Sequence, residues 1–379
     1  MQGSLNHPLG LYVHIPWCIR KCPYCDFNSH AVSDTVDETA YINALLADLK
    51  DESETLDRRV INSIFIGGGT PSLFSAQAID QLLEGVEKLL PFASDIEITL
   101  EANPGAADAQ RFAGYRAAGV NRLSLGIQSL QDSQLKALGR IHDSASALDA
   151  VDAIRQAGFD NVNLDVMDGL PQQRLQEAMQ DLHAVIALNP PHLSWYQLTL
   201  EPNTLFYQQP PPVPEDDALA DMMDAGLALL SEAGYQQYEI SAHSQPDQQC
   251  RHNLNYWQFG DYVGIGAGAH GKLTLPDGRI IRRSKQRQPQ RYLDTTGAQR
   301  IRQQREVSQE ELPLEFMLNA MRLQAGVPVE WFAQATGLDI QTIKKPLQQA
   351  VAQGLLEWDE YLRPTQRGRL FLNDLLALF

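Results

Sequence analysis

The chain has 379 residues, 44% of them hydrophobic, enough for one large domain with a smaller one beside it. Its 47 acidic against 30 basic side chains leave a formal net charge of −17, which argues against a general nucleic-acid binder, because such a protein needs clustered cations to neutralise phosphate. No apolar run approaches the roughly 18 residues of a bilayer span, and Met1–Pro8 lacks the basic and apolar regions of a signal peptide, so a cytoplasmic protein with no transmembrane segment is expected.

Short apolar strands alternate with amphipathic helices, the pattern of βα units in a parallel sheet. The strands are expected at Leu11–Pro16, Ser63–Gly67, Ile96–Ala102, Arg122–Gln128, Asn161–Met167 and His192–Leu200. Helices fit between them at Asp37–Lys50, Ser75–Leu90, Asp108–Ala118, Ser144–Gln156 and Leu175–Leu188. In the second of these, Ile79, Leu82, Leu83, Val86 and Leu90 share one face and Ser75 can cap the N-terminus. Six such units are too few to close an eight-fold barrel, so the expected fold is α/β, a partial (β/α)6 barrel over residues 1–205. Functional residues in such a sheet gather at the C-terminal ends of the strands.

Pro210, Pro211, Pro212 and Pro214 mark a break. An extension over residues 206–305 follows, with a helix at Asp216–Ala233 and strand-like Gln237–Ser241 and Tyr262–Gly266. Residues 306–379 read as a C-terminal helical, winged-helix-like domain. Its helices are expected at Gln309–Leu323, Pro328–Thr336, Asp339–Gln353 and Gln366–Phe379, with a wing at Leu355–Arg363. Its mixed charge suits packing or partner contact better than DNA.

Three of the four cysteines, Cys18, Cys22 and Cys25, fall within eight residues at the end of the first strand; Cys250 stands alone. A disulfide scaffold would spread its bridges through a small secreted chain. Thiolates are soft ligands, and three of them on a short loop can hold a [4Fe–4S] cluster while one iron stays open. The competing reading is zinc, but a structural zinc site takes four ligands and often two CxxC pairs, and no second pair is present.

The C-x3-C-x2-C spacing after an N-terminal strand resembles the radical S-adenosylmethionine (SAM) superfamily. That resemblance implies SAM chelated at the open iron and cleaved by one electron to a 5′-deoxyadenosyl radical. It also implies roles for residues at successive strand ends. Gly67–Pro71 matches the glycine stretch that contacts the SAM amino group, and Glu101 the carboxylate that contacts SAM. Arg140 suits the SAM carboxylate, since guanidinium pairs with carboxylate bidentately.

The match narrows through His14–Cys18, Cys22–Phe27, Gly67–Ser72, Glu101–Gly105 and Leu170-Pro171, which resemble the oxygen-independent coproporphyrinogen III oxidase family along nearly the whole chain. From it, SAM contacts are implied at Tyr12, Tyr24, Gly68, Gly69, Thr70, Glu101, Gln128, Arg140 and Asp165. Two departures speak against oxidase activity. Phe27 replaces a further cysteine of the oxidase pattern, and the longer segment before the first strand is missing. His252-Asn253 followed by Tyr256-Trp257 is similar to the HNxxYW motif of the haem chaperones of this family. This implies His252 as a haem-iron ligand, with Tyr256 and Trp257 as flat faces for the porphyrin.

The resemblance therefore implies a chaperone that binds haem, a [4Fe–4S] cluster and SAM, and hands haem to respiratory haem proteins, peripheral to the membrane at that moment. A homodimer is compatible with it, and no catalytic residue is assigned. The alternative is a coproporphyrinogen III oxidase. Three features stay open. Cys250 is an inert thiol, a spare cluster ligand or a haem contact. Gly264–Gly271 is a tight turn or a site lining. The basic run Arg279, Arg282, Arg283, Lys285 and Arg287 pairs with haem propionates or forms a solvated edge strand.

Overall fold

The structure, a computed structural model, describes residues 8–32, 35–56, 58–106 and 109–379. Six strands follow one another in chain and in space: β1 (Leu9–Ile15), β2 (Ile61–Gly68), β3 (Phe92–Ala102), β4 (Arg122–Gln128), β5 (Val162–Asp168) and β6 (His192–Gln197). Each pairs in parallel with the next. Three helices intervene among the first strands: α1 (Glu38–Ser53), α2 (Ala76–Leu89) and α3 (Ala109–Ala117). Next come α4 (Ser144–Gln156) and α5 (Leu175–Ala187).

Local chemistry explains the ends. Asp37 and Ser75 cap α1 and α2 by accepting from the backbone N–H of Ala40 and Ala78. The start predicted for the third helix at Asp108, and the reading of Met1–His7, lie outside the described residues.

Strand alternation sorts the two faces of the sheet. Leu11, Val13, Ile15, Ile64, Ile66, Leu100, Leu123, Leu125, Leu164 and Val166 are buried in the main apolar core, where Ile79, Leu82 and Val86 of α2 meet them. Each such side chain contributes about 1.5–3 kcal/mol by leaving water. The other face is polar: Tyr12 bonds to His14, and Ser124, Asn163, Asp165 and His192 bond to one another; Ser63 bonds to His252, Arg122 is buried, and Glu101, Ser124, Asp165 and Tyr196 line the cleft described below.

The extension builds more sheet than its sequence suggests. After α6 (Asp216–Glu232) come β7 (Gln236–Gln237) and β8 (Ala242–Ser244). These form a hairpin against β6 where one strand, Gln237–Ser241, was expected; the chain turns between them, with Tyr238 N–H bonding to Ala242 O. Beyond α7 (Arg251–Trp257), β9 (Asp261–Ile265) pairs in parallel with β1 and is a seventh parallel strand. Then β10 (His270–Thr274), β11 (Ile280–Lys285) and β12 (Ile301–Glu306) continue antiparallel. The open sheet has twelve strands in the order β12-β11-β10-β9-β1-β2-β3-β4-β5-β6-β8-β7.

A second apolar core runs from Phe259 and Ile280 through Phe316, Phe332, Leu347 and Leu362 to Leu376. It is built on α8 (Leu312–Ala320), α9 (Val329–Thr336), α10 (Lys344–Ala352) and a three-stranded sheet of Val327–Pro328, Leu356–Trp358 and Tyr361–Pro364. The terminal helix expected over Gln366–Phe379 is two short pieces, Gln366–Leu370 and Leu372–Leu376, broken at Phe371. Within this core the Phe259 and Phe316 rings meet at 5.7 Å.

Candidate active-site cleft and barrel floor

The C-terminal ends of the strands open into a cleft whose empty space, counting the open solvent at its mouth, is about 1050 Å³. Cys18, Cys22 and Cys25 line it together with Tyr24, Gly68, Gly69, Thr70, Glu101, Gln128, Arg140 and Asp165. Of the SAM contacts named from the sequence, Tyr12 alone does not line it. Its hydroxyl turns instead to His14 Nδ1 at 2.9 Å, and its ring stacks on Phe65.

The three thiols are free, and burial pushes those of Cys18 and Cys25 up. Among the described residues no three His, Cys, Asp or Glu side chains converge as a single metal ion would require. A cubane asks for less, because each thiolate takes a different iron corner. The loop is fixed from both sides. Gly69 N–H and Thr70 N–H bond to Ile15 O and Trp17 O, and Ser29 Oγ lies 3.7 Å from Cys25 Sγ. Gly68 has φ +121°, and a Cβ there would lie 2.7 Å from the His14 ring, so only glycine fits.

The wall opposite holds two half-buried carboxylates. Burial, then the charge of Asp165, pushes the Glu101 carboxyl up to about 7, although Gly68 N–H donates to its Oε2 at 3.0 Å. Burial also raises Asp165, against hydrogen bonds from Asn163 and Ser124. Two such groups in one cleft favour a ligand that brings positive charge and hydroxyl donors.

Arg140 stands nearby. Its Nη2 donates to Gly126 O at 2.6 Å and Asn103 Oδ1 at 2.7 Å, and Nη1 lies 3.9 Å from Cys22 Sγ. Its Nε is buried without a partner, a donor held ready for an anionic group. The donor set therefore fits a zwitterionic, sulfonium-bearing ligand beside a cluster.

Sequence reasoning missed Asn103, Ser124 and Tyr196. Asn103 Nδ2 donates to Thr70 Oγ1 at 2.8 Å while its Oδ1 holds Arg140, and Tyr196 OH donates to Gln128 Oε1 at 2.8 Å. Tyr196 is a residue the strand-end rule singles out, since it nearly ends β6.

The HNxxYW segment is elsewhere. It forms α7, which enters the barrel from the opposite end. Glu97, four residues and about 13 Å before Glu101 on β3, accepts from the N–H groups of Arg251 and His252 and lies 3.5 Å from Cys250 Sγ. His252 is 1% exposed. Its Nδ1 shares a hydrogen bond with Ser63 Oγ and its Nε2 one with Tyr256 OH, each at 2.9 Å, and its ring stacks on Phe65. Gly10 leaves the space, since a Cβ there would meet the His252 ring at 3.3 Å.

Burial, with the charge of Arg122, pulls the imidazole down to about 3. Trp257 faces the other way, into the C-terminal domain, under the Arg322 guanidinium. In this state neither nitrogen of His252 is free for iron. Cys250 is fully buried beside it, its thiol pushed up to about 12 by burial, as an inert thiol would be.

The basic run is neither an edge strand nor a free cationic patch. It lies on β11, between β10 and β12, and most of its charges pair internally: Arg279 with Asp277 and Glu306, Arg282 with Glu315, Arg283 with Glu52, Lys285 with Asp48 and Glu52.

Two family models match the chain: the radical SAM superfamily over residues 12–184 and the HemN C-terminal domain over residues 307–371. The chain is 52% identical over 373 residues, 98% of each chain, to the protein named heme chaperone HemW of Escherichia coli (strain K12). It is 50% identical over 377 residues, again 98% of each, to the HemW of Haemophilus influenzae. Among solved structures, coproporphyrinogen III oxidase (HemN) from Escherichia coli matches with a TM-score of 0.83 over 100% of this chain and 91% of that one. At 22% identity that likeness speaks for the fold alone. The chain belongs to the HemW family of the radical SAM superfamily, with a HemN-type C-terminal domain.

Proposed function

We propose that this chain is a haem chaperone that carries a [4Fe–4S] cluster and SAM and delivers haem to respiratory haem proteins. The observation that carries the reading is full-length similarity to proteins named heme chaperones, at 52% identity over 98% of both chains. Cys18, Cys22 and Cys25 would hold the cluster; Gly68, Gly69, Thr70, Glu101, Gln128, Arg140, Asp165 and Tyr24 would hold SAM, with Tyr12 supporting from below. When bound, the pair supplies one-electron reductive chemistry at the cleft. The chain's own residues hold and orient: Arg140 offers Nε, Glu101 and Asp165 offer carboxylates, and Asn103 ties Thr70 to Arg140. Tyr256 and Trp257 would contact haem, and His252 would reach its iron, only if α7 left the barrel floor.

No helix among the described residues is long and apolar enough to cross a membrane. A cytoplasmic location, peripheral to the membrane during delivery, is part of the proposal. Phe27, exposed where the oxidase pattern has a cysteine, supports the chaperone over coproporphyrinogen III oxidase, because a phenyl ring can neither ligate iron nor do thiol chemistry. The test is to reconstitute the cluster anaerobically, then measure haem binding, haem transfer to a haem-free respiratory acceptor, and conversion of coproporphyrinogen III with SAM and a reductant. Stoichiometric haem binding, transfer and no conversion are expected; multiple-turnover formation of protoporphyrinogen IX would replace the chaperone with the enzyme.

A further inference from the structure

A line of side chains runs through the interior from the cleft to the foot of α7. Asn163 Nδ2 lies 2.8 Å from Asp165 Oδ1, and Asn163 Oδ1 lies 2.7 Å from His192 Nδ1. His192 Nε2 is 2.8 Å from the Tyr238 hydroxyl, which in turn is 3.2 Å from the backbone nitrogen of Cys250, the residue that begins α7 as its N-cap. Asn163, His192, Tyr238 and Cys250 are all buried. The line crosses β5, β6 and the turn between β7 and β8, and joins the wall of the cleft to the HNxxYW helix.

The chemistry of its two ends fixes the direction of every bond. An ionised carboxylate can only accept, so Asn163 turns its amide nitrogen to Asp165 and its oxygen to His192. His192 Nδ1 then carries the proton that Asn163 Oδ1 accepts. Burial, with the charge of Arg122, holds this imidazole well below its ordinary range, so the ring is neutral and Nε2 keeps a lone pair. The Tyr238 hydroxyl donates to that lone pair and accepts from Cys250 N–H, which can only donate. Every donor points the same way, from the foot of α7 to the carboxylate. In such a head-to-tail chain each bond polarises the next, by roughly 10–30% per bond.

Both ends are well defined. Asn163 Nδ2 also donates to Ser124 Oγ at 2.8 Å, and Ser194 Oγ donates to Asn163 Oδ1 at 3.1 Å, which holds the amide in one orientation. Burial raises the Asp165 carboxyl, while the hydrogen bonds of Asn163, Ser194 and Ser124 and the charge of Arg122 pull it back. At the other end, Cys250 N–H is held by Tyr238, and the next two N–H groups, of Arg251 and His252, by Glu97. Tyr238 is thus one of two side chains that seat the first turn of α7.

We propose that Asn163, His192 and Tyr238 are positioning residues that tie the Asp165 carboxylate to the seat of α7, so that a ligand engaging Asp165 loosens α7. The negative charge of Asp165 draws the donors into line. A hydroxyl or cation of a cleft ligand takes a share of that charge, and the pull weakens at the far end, on Cys250 N–H. Loosening of α7 is the step by which His252, Tyr256 and Trp257 leave the barrel floor. By linkage, an α7 that is already free strengthens the binding of that ligand by the same factor. The inference rests on the reading of the cleft as a SAM site and adds how its occupancy reaches the HNxxYW helix.

Hydrogen exchange of residues 250–257, followed by mass spectrometry on the anaerobically reconstituted full chain, reads the seat of α7 directly. SAM is the probe and no haem is added. Saturating SAM should speed exchange in this segment by about fivefold or more, the lower end of ordinary coupling between sites. Tyr238→Phe keeps the ring and removes the hydroxyl; its α7 should exchange faster than wild type without SAM and gain nothing from it. His192→Gln keeps one donor and one acceptor and should retain part of the response, whereas His192→Leu should lose it. Calorimetry confirms that SAM is bound in each protein, and iron content and circular dichroism confirm the cluster and the fold.

An α7 that exchanges at one rate with and without bound SAM overturns the proposal and leaves the chaperone reading standing. So does a Tyr238→Phe variant that responds to SAM as the wild type does. Failure of the reconstituted wild type to bind SAM ends the proposal together with the reading of the cleft.

Discussion

His252 and Ser63, 189 residues apart in sequence, share a 2.9 Å hydrogen bond on the barrel floor, with Tyr256 on the other imidazole nitrogen. The bond locks α7 against β2 and makes a family motif part of the interior of the fold. Removing the imidazole leaves two buried hydroxyls short of a partner, each costing about 1–3 kcal/mol. His252→Ala should therefore lower the urea midpoint markedly, by about 2–5 kcal/mol in stability, while the reconstituted cluster keeps its spectrum.

The same residue has a pH signature. Its folded pKa, about 3, lies below the ordinary 6.5, so the unfolded chain takes up the proton first as pH falls. Its contribution to stability is whole above pH 6.5 and is lost from there down towards pH 3. Denaturation of His252→Asn should lose less stability than wild type in that window, by about 1 kcal/mol per pH unit. Equal pH slopes for the two proteins would mean that the imidazole is not buried as described.

The cleft predicts a cluster with three protein thiolates. Cys18→Ser, Cys22→Ser and Cys25→Ser should each abolish the roughly four irons and four sulfides bound after anaerobic reconstitution. Cys250→Ser should leave them, since that thiol sits on the floor beside Glu97. Iron, sulfide and electron paramagnetic resonance measurements decide it.

Glu101 should make SAM binding pH-dependent. Its carboxyl titrates near 7 without ligand, and a cationic ligand favours the ionised form. Wild-type affinity should rise through pH 7, with proton release on binding below that pH seen by calorimetry in two buffers. In Glu101→Gln the component due to this carboxyl should vanish, and affinity should drop by about one to two orders of magnitude, the scale of a charge-assisted hydrogen bond. Arg140→Ala should weaken SAM similarly without loss of iron.

Lys285 joins β11 to Asp48 and Glu52 of α1, each at 2.6 Å and all three side chains buried. Lys285→Met would leave buried Asp48 with only the Tyr292 hydroxyl and Gly266 N–H, and Glu52 with only Arg283, and should cost about 3 kcal/mol, read from urea denaturation. Lys285→Arg should recover only part of it, because the planar guanidinium fits a pocket made for a point charge poorly.

Local chemistry carried much of this protein into view from sequence alone. The βα alternation, the caps at Asp37 and Ser75 and the apolar stripe of α2 depend on residues within a turn or two of one another. The thiol run at the end of β1, with Gly68, Glu101, Gln128 and Asp165 on successive strands, was legible because parallel topology sends strand ends to one side. The tertiary structure decided what depends on distant partners. β9 lies beside β1 although some 250 residues separate them. Arg283 and Lys285 of the basic run found their counter-charges on α1 more than 200 residues earlier. HNxxYW became a buried floor because Ser63, Phe65, Glu97 and Gly10, on three strands, together form a socket for α7. Periodicity and spacing record what a segment can become; which surface it meets is settled only when chain closure brings distant polar groups into a shared interior where each must find a partner.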